Sequence, residues 1–247
     1  MPRIIPFRLA AVCALVISIA LVFAAGASAK GFSADLRVVG AGGKLLAEES
    51  VATKTTSVKT SPKAECFGKG TGGSGDPVTL KADTAMGLLA AASKSTPALS
   101  PLLLSDSFDF GIALCGIGSS VAHGKASWYL KINHKSLSVG GDSAVIHPGD
   151  EVLWDLAPSY PYPDELVLEA PNSVKAGKPF QVRVFSYDEK GKSKPASGVT
   201  VTGASGPTDG AGKATVTLAK PALLMAKAAR EIPSAREPVC VGGKCPK

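Results

Sequence analysis

The chain has 247 residues and a formal net charge of +7, with 45% hydrophobic and 19% charged residues. Its lysines fall in short groups, Lys59, Lys63 and Lys69 in a Gly/Ser/Thr-rich stretch and Lys190, Lys192 and Lys194 in an expected turn. Neither group alternates with aromatics, so the basic excess reads as solvated surface and no nucleic-acid partner is expected.

The chain starts with a leader pattern. Arg3 and Arg8 give a basic start, residues 9–25 are an almost unbroken apolar run, and Ala27-Ser28-Ala29 is a small-x-small site. That order predicts a secretory signal peptide over residues 1–29, cut between Ala29 and Lys30. The rival reading is an uncleaved anchor, because 17 apolar residues lie near the lower limit for crossing a bilayer. The small-residue site favours cleavage, after which no membrane span is expected. Removing residues 1–29 leaves 218 residues, and losing two arginines with no acid lowers the charge to +5. That length suggests two small domains, and the leader suggests a protein that is secreted or associated with the cell envelope.

Residues 31–60 alternate loosely between apolar and polar, with Gly40, Gly42 and Gly43 interrupting, which predicts a hairpin. Residues 68–75, nearly all Gly, Thr and Ser, predict a flexible loop. Thr84 then precedes Met86, Leu89 and Ala90 at helical spacing, which predicts a short amphipathic helix over residues 84–93. The clearest sheet signal is residues 127–156. Trp128, Leu130 and Ile132 share one face of a strand and Tyr129, Lys131 and Asn133 the other; Val152, Trp154 and Leu156 repeat the pattern. Together these elements give ββαββ, an α+β, β-grasp-like domain over residues 30–157.

Residues 158–164 hold Pro158, Pro161 and Pro163 with Tyr160 and Tyr162, and predict a semi-rigid linker. Beyond it, short strand-like runs separated by Gly, Pro and Asp predict an all-β immunoglobulin-like sandwich over residues 165–241, with residues 242–247 as a tail. The run over residues 222–229 suits helix on composition and strand by its position.

Cys13 belongs to the leader, and Cys66, Cys115, Cys240 and Cys245 remain. An even number in an oxidising compartment predicts two disulfides, with three pairings possible. Cys66 with Cys115 and Cys240 with Cys245 keeps each bridge inside one domain and is favoured. With no CxxC pair and three scattered histidines, no metal site is expected.

Catalytic patterns are sparse. Gly68, Gly70 and Gly73 match G-x-G-x-x-G, but no strand precedes them and no helix opens at the last glycine, so a nucleotide cradle is not expected. His123, His134 and His147 lie near turns without a neighbouring nucleophile. Asp106 and Asp109 sit in an expected loop, and Asp150 at a turn where it caps the backbone. No enzyme activity is predicted.

Four pieces, Asp83-Thr84-Ala85-Met86-Gly87-Leu88-Leu89, Cys115-Gly116-Ile117-Gly118, Ser127-Trp128-Tyr129-Leu130-Lys131-Ile132-Asn133 and Pro148-Gly149-Asp150-Glu151-Val152-Leu153-Trp154, carry a resemblance. Their order and spacing resemble the small β-domain at the C-terminus of transcobalamin and intrinsic factor, which recurs in exported bacterial proteins. The resemblance covers about residues 33–157 and implies a β-grasp-like binding domain without enzyme activity. By resemblance alone its ligand would be cobalamin; the residues themselves imply no cofactor. The second half, with Ala176-Gly177-Lys178-Pro179-Phe180 and Thr208-Asp209-Gly210-Ala211-Gly212-Lys213, looks like bacterial immunoglobulin-like domains.

Trp128 and Trp154 alternate with aliphatic residues and read as core beneath the helix. Tyr129, Lys131 and Asn133 point the other way, and Tyr160 and Tyr162 lie in the linker. These five residues form the candidate contact surface for an unidentified small molecule or a cell-surface or extracellular partner. The rival expectation is a structural or adhesive envelope protein with no small-molecule ligand.

Overall fold

The structure, a computed structural model, describes residues 31–246. The expected leader, its cleavage point at Ala29 and Lys30, and Cys13 lie outside the described residues. The chain opens with β1 (Ser33–Gly40) and β2 (Lys44–Ala52), an antiparallel hairpin whose tip is glycine-rich. Next come β3 (Thr56–Lys59), β4 (Pro77–Leu80), α1 (Ala85–Ala92), β5 (Leu102–Phe108), β6 (Gly111–Ile117), β7 (Ser120–Val121), β8 (Ser127–Ile132), β9 (Lys135–Ser136) and β10 (Glu151–Ala157). The second half holds β11 (Glu165–Glu169), β12 (Ser173–Val174), β13 (Pro179–Tyr187), β14 (Ser193–Pro195) and β15 (Thr200–Val201). It ends with β16 (Lys213–Thr217), β17 (Ala222–Leu224), β18 (Ala226–Lys227) and β19 (Glu237–Val241).

The expected class, an α+β β-grasp followed by an immunoglobulin-like sandwich, is overturned: the fold is all-β in class. Among the described residues one α-helix of eight residues stands against nineteen strands, which divide into several small sheets. Two sheets account for much of the difference. β5, β6 and β7 form one, between the helix and residue 127 where alternation predicts no strand, and β3 pairs with β4 in another, so that residues 31–60 hold three strands in place of a single hairpin. The second half likewise holds a β11-β13-β14 sheet extended by β16, a β12-β19-β17 sheet and the pair β15-β18.

The largest sheet runs β2-β1-β10-β8-β9, with β1 and β10 parallel in register Asp35 to Glu151. Its alternation sends Leu36, Val38, Leu130, Val152 and Trp154 to one side, where they meet α1. Thr84 caps that helix by accepting from Gly87 N at 3.1 Å. The helix is buried on nearly every face, because its residues are Ala, Gly, Leu and Met and β-sheet surrounds it. An amphipathic helix with a solvent face is therefore not what forms.

A second core gathers Leu166, Val182, Val184, Val216, Leu224 and Val239 from the C-terminal half. A small third cluster, Val39, Leu153 and Ile232, joins the back of the large sheet to that half. The described residues form one compact unit.

Cys66 is bonded to Cys115 and Cys240 to Cys245. The first bridge ties the glycine-rich loop to β6. That loop is packed, not free: Glu65 Oε1 accepts from Gly70 N at 2.7 Å, and the Asp106 carboxylate accepts from Ser74 N at 2.7 Å and from Ser74 Oγ at 2.6 Å. Asp106 lies within β5, where a loop was expected.

Candidate functional site

Two side-chain assemblies stand out, one on each side of the large sheet. On the helix side, Trp128 of β8 and Trp154 of β10 flank a cleft of about 300 Å³. Their strands are antiparallel neighbours, with Trp154 opposite Leu130 and Leu156 opposite Trp128, so both indoles fall on one face. Met86 of α1, Ile112 and Leu114 of β6 and Val139 complete much of the wall. Gly141 allows the approach: a Cβ there would stand 2.7 Å from Cζ2 of Trp154.

The cleft has an aromatic rim. β9 pairs only with Lys131 and Ile132, which leaves the start of β8 without a strand on that side. There the Tyr129 and Tyr162 rings stack, centroids 3.8 Å apart, and Tyr160 meets Tyr162 edge-on at 5.5 Å. The Tyr129 hydroxyl donates to Ser136 Oγ, and burial raises its pKa above the usual phenol value. Phe67, beside the Cys66 bridge, also lines the cleft and is 58% exposed. It packs against Phe108 at 5.3 Å, which stacks on the 62% exposed Phe110 at 4.8 Å. Such rings give large contact area at low entropic cost.

The other side of the sheet is polar and covered. Arg37 of β1 forms a salt bridge with Glu165 of β11 and donates from Nη1 to Pro233 O at 2.7 Å. Lys131 is 1% exposed; its ammonium lies 3.8 Å from Glu165 Oε2 and donates to Tyr187 O at 3.2 Å. His134 donates from Nδ1 to Glu165 Oε1 at 3.1 Å, and its Nε2 is 3.6 Å from Glu151. Asp155 completes the group. Burial pushes its carboxyl up to about 7 against the pull of Arg37 and Lys131. Burial lowers the Lys131 ammonium despite Glu165. Burial would raise Glu165 too, but the His134 hydrogen bond and the charges of Arg37 and Lys131 outweigh it and hold that carboxyl below its usual value. Two buried cations and two buried carboxyl groups thus offset one another where the halves of the chain meet.

The five candidate contact residues therefore separate. Tyr129, Tyr160 and Tyr162 come together at the cleft, with Tyr160 75% exposed. Lys131 is sealed beneath the C-terminal half, so it is not an exposed contact. Asn133, at φ 50°, clamps a turn: its Nδ2 donates to Asp150 Oδ1 at 2.8 Å and its Oδ1 accepts from Glu151 N at 3.0 Å. Asp150 also accepts from His147 N at 2.7 Å, the expected capping role.

Sequence reasoning missed the space between the tryptophans and the Phe67, Phe108 and Phe110 trio. Phe108 and Phe110 flank a tight turn into Gly111, and Phe67 follows a bridged cysteine; each is a local signal, but only the fold unites them. Among the described residues, no group of three or more His, Cys, Asp and Glu side chains is gathered to hold a metal ion. No helix among them is long and apolar enough to cross a membrane. Compared with protein-family models, with curated proteins and with solved structures, the chain matches none.

Proposed function

We propose that this is a secreted, non-enzymatic binding protein whose N-terminal half captures a small, largely apolar ligand in the cleft between Trp128 and Trp154. The observation that carries the reading is the cleft itself. Its volume of about 300 Å³ lies at the lower end of small-ligand sites, and its walls are apolar and aromatic. The two disulfides suit an oxidising compartment. Cobalamin, the ligand implied by the resemblance to transcobalamin-type domains, is too large to be enclosed by this space.

Calorimetric titration with the apolar probe 1-anilinonaphthalene-8-sulfonate tests the reading. Ala126 is half-buried and lines the cleft, so Ala126→Phe sets a bulky ring against that space. Saturable binding at one site, lost in Ala126→Phe while the circular dichroism is retained, is the expected result. Probe binding that is absent, or that the substitution leaves intact, removes the reading.

A second reading, a structural or adhesive envelope protein, is favoured by the exposed Phe67, Phe110 and Tyr160. Contiguous exposed aromatics mark interaction surfaces. In fractionation, adhesion requires the protein to sediment with cells or wall material and Phe67→Ser with Phe110→Ser to release it. Protein recovered only from the medium removes this alternative.

A further inference from the structure

We infer that the space between the β1-β2 hairpin tip, the proline-rich segment and residues 227–233 is a second binding site, and that it takes a primary amine with a compact apolar body, whose ammonium group pairs with Asp155. The site is separate from the Trp128/Trp154 cleft and stands or falls without it.

The argument starts from a carboxyl without a partner. Asp155 of β10 is 5% exposed. Burial and the charges of Arg37, Lys131 and Glu165 act on it, but no hydrogen bond from a described residue does. Both nearby cations are engaged elsewhere: Arg37 with Glu165 and Pro233 O, Lys131 beside Glu165 and with Tyr187 O. Buried polar groups without partners are rare in folded proteins and costly. Glu165 Oε2 and Glu231 Oε2 also lack donors, but those atoms are shut away from solvent, whereas the Asp155 oxygens are not. The surface they keep adjoins a cavity of about 860 Å³, which Asp155 lines.

That volume is within the range of small-molecule sites, and the cavity lies where the two halves of the chain meet, a common place for them. Leu156, Pro158 and Pro161 wall it on one side and Ile232 and Pro233 on the other, which suits an apolar body. Charge selects the head group. Arg37, Lys131 and Glu165 together carry +1, two cations against one carboxylate, and a protonated Asp155 leaves that sum unchanged. An ionised Asp155 paired with an ammonium leaves it unchanged too. The ligand cation thus takes the place of the carboxyl proton, which leaves to solvent, and no net charge is added to the buried group. With that carboxyl raised to about 7, the exchange is accessible near neutrality. Of the other ionisable groups lining the cavity, Lys227, Arg230 and His123 are exposed and screened by water, and Glu231 is half-buried. An anion would need Asp155 to keep its proton and would also meet Glu231. A neutral guest would give Asp155 no charge partner.

The test is calorimetric titration of the purified protein with 1-adamantanamine and 1-adamantanol, two guests of one shape of which only the first is a cation. At pH 8 the amine should bind at one site about tenfold or more tightly than the alcohol, the size of a charge-assisted hydrogen bond. The preference should shrink as pH falls through 7 and be gone by pH 5, where Asp155 keeps its proton. Asp155→Asn keeps the shape and should remove the preference at pH 8, while His123→Gln should leave its pH dependence in place. Equal affinity for the two guests at pH 8, a preference that survives in Asp155→Asn, or a pH dependence lost in His123→Gln overturns the assignment. Failure of both guests to bind overturns the site itself.

Discussion

Tyr162 stacks on Tyr129 with ring centroids 3.8 Å apart, which fixes the proline-rich segment against the start of β8. A stretch that reads as a spacer is thus part of the cleft wall. Tyr162→Ala removes an aromatic pair worth about 0.5–1.5 kcal/mol beyond its buried area. Hydrogen exchange should rise at the amides of residues 159, 160 and 162, with little change in the β12-β19-β17 sheet. Exchange unchanged between the parent and Tyr162→Ala would show that the stack holds nothing in place.

Glu165 lies within reach of three basic side chains, Arg37, Lys131 and His134. Glu165→Ala leaves two buried cations with Asp155 alone of the group's carboxyls, itself raised to about 7, and should cost about 3–5 kcal/mol in urea unfolding. The loss should exceed that of Asp164→Ala, whose partner Lys194 is exposed.

Asp155 gives the stability a pH dependence of defined sign. Its carboxyl, raised to about 7 in the folded chain, binds a proton more tightly there than when unfolded. Its contribution is therefore complete below the unfolded pKa of about 3.9 and is lost as pH rises toward 7. Asp155→Asn keeps the shape without the titration. The Tm of the variant should gain on the parent steadily from pH 4.5 to 7.5; a constant gap would contradict the buried carboxyl.

Much of the large sheet was legible because strict alternation at residues 128–132 and 152–156 records two different faces. The helix start was legible through Thr84. What stayed hidden was non-local. Alternation put Lys131 opposite Trp128, but that its face would be covered depends on Glu165 and Tyr187, which arrive from the C-terminal half. β5 and β6 were missed because Leu102, Leu103 and Leu104 run without alternation and Gly116 interrupts the partner strand. Four sheets of two or three strands carry too few residues each to leave a periodic trace. The cleft is hidden for another reason: a tryptophan that walls a cavity and one that fills a core have the same sequence pattern.

Gly141→Ala tests the shape of that cavity directly. The backbone there suits any residue, so the effect is steric: the added methyl meets the Trp154 ring. Overpacking of this kind costs about 1–3 kcal/mol. Tryptophan emission should shift and 1-anilinonaphthalene-8-sulfonate binding should fall. Unchanged emission would mean the ring has room to move aside.

Reduction should separate the two disulfides. Cys66 and Cys115 are 49 positions apart and Cys240 and Cys245 only 5. Replacing the first pair with serine should cost about 3–4 kcal/mol in the chain-entropy model and loosen the Phe67 rim. Replacing the second should cost clearly less, as read by thermal unfolding.

The parallel pairing of β1 with β10 has a consequence for biogenesis. β1 lies inside its sheet, yet one of its two neighbours is synthesised only after the whole helix and the strands of two small sheets have emerged. Until then the backbone edge of β1 that β10 will pair has no partner. Long-range parallel pairing of this kind is slow and exposes the nascent chain to wrong associations. A polypeptide built this way gains from being held unfolded until all of it has been made and then released to fold at once.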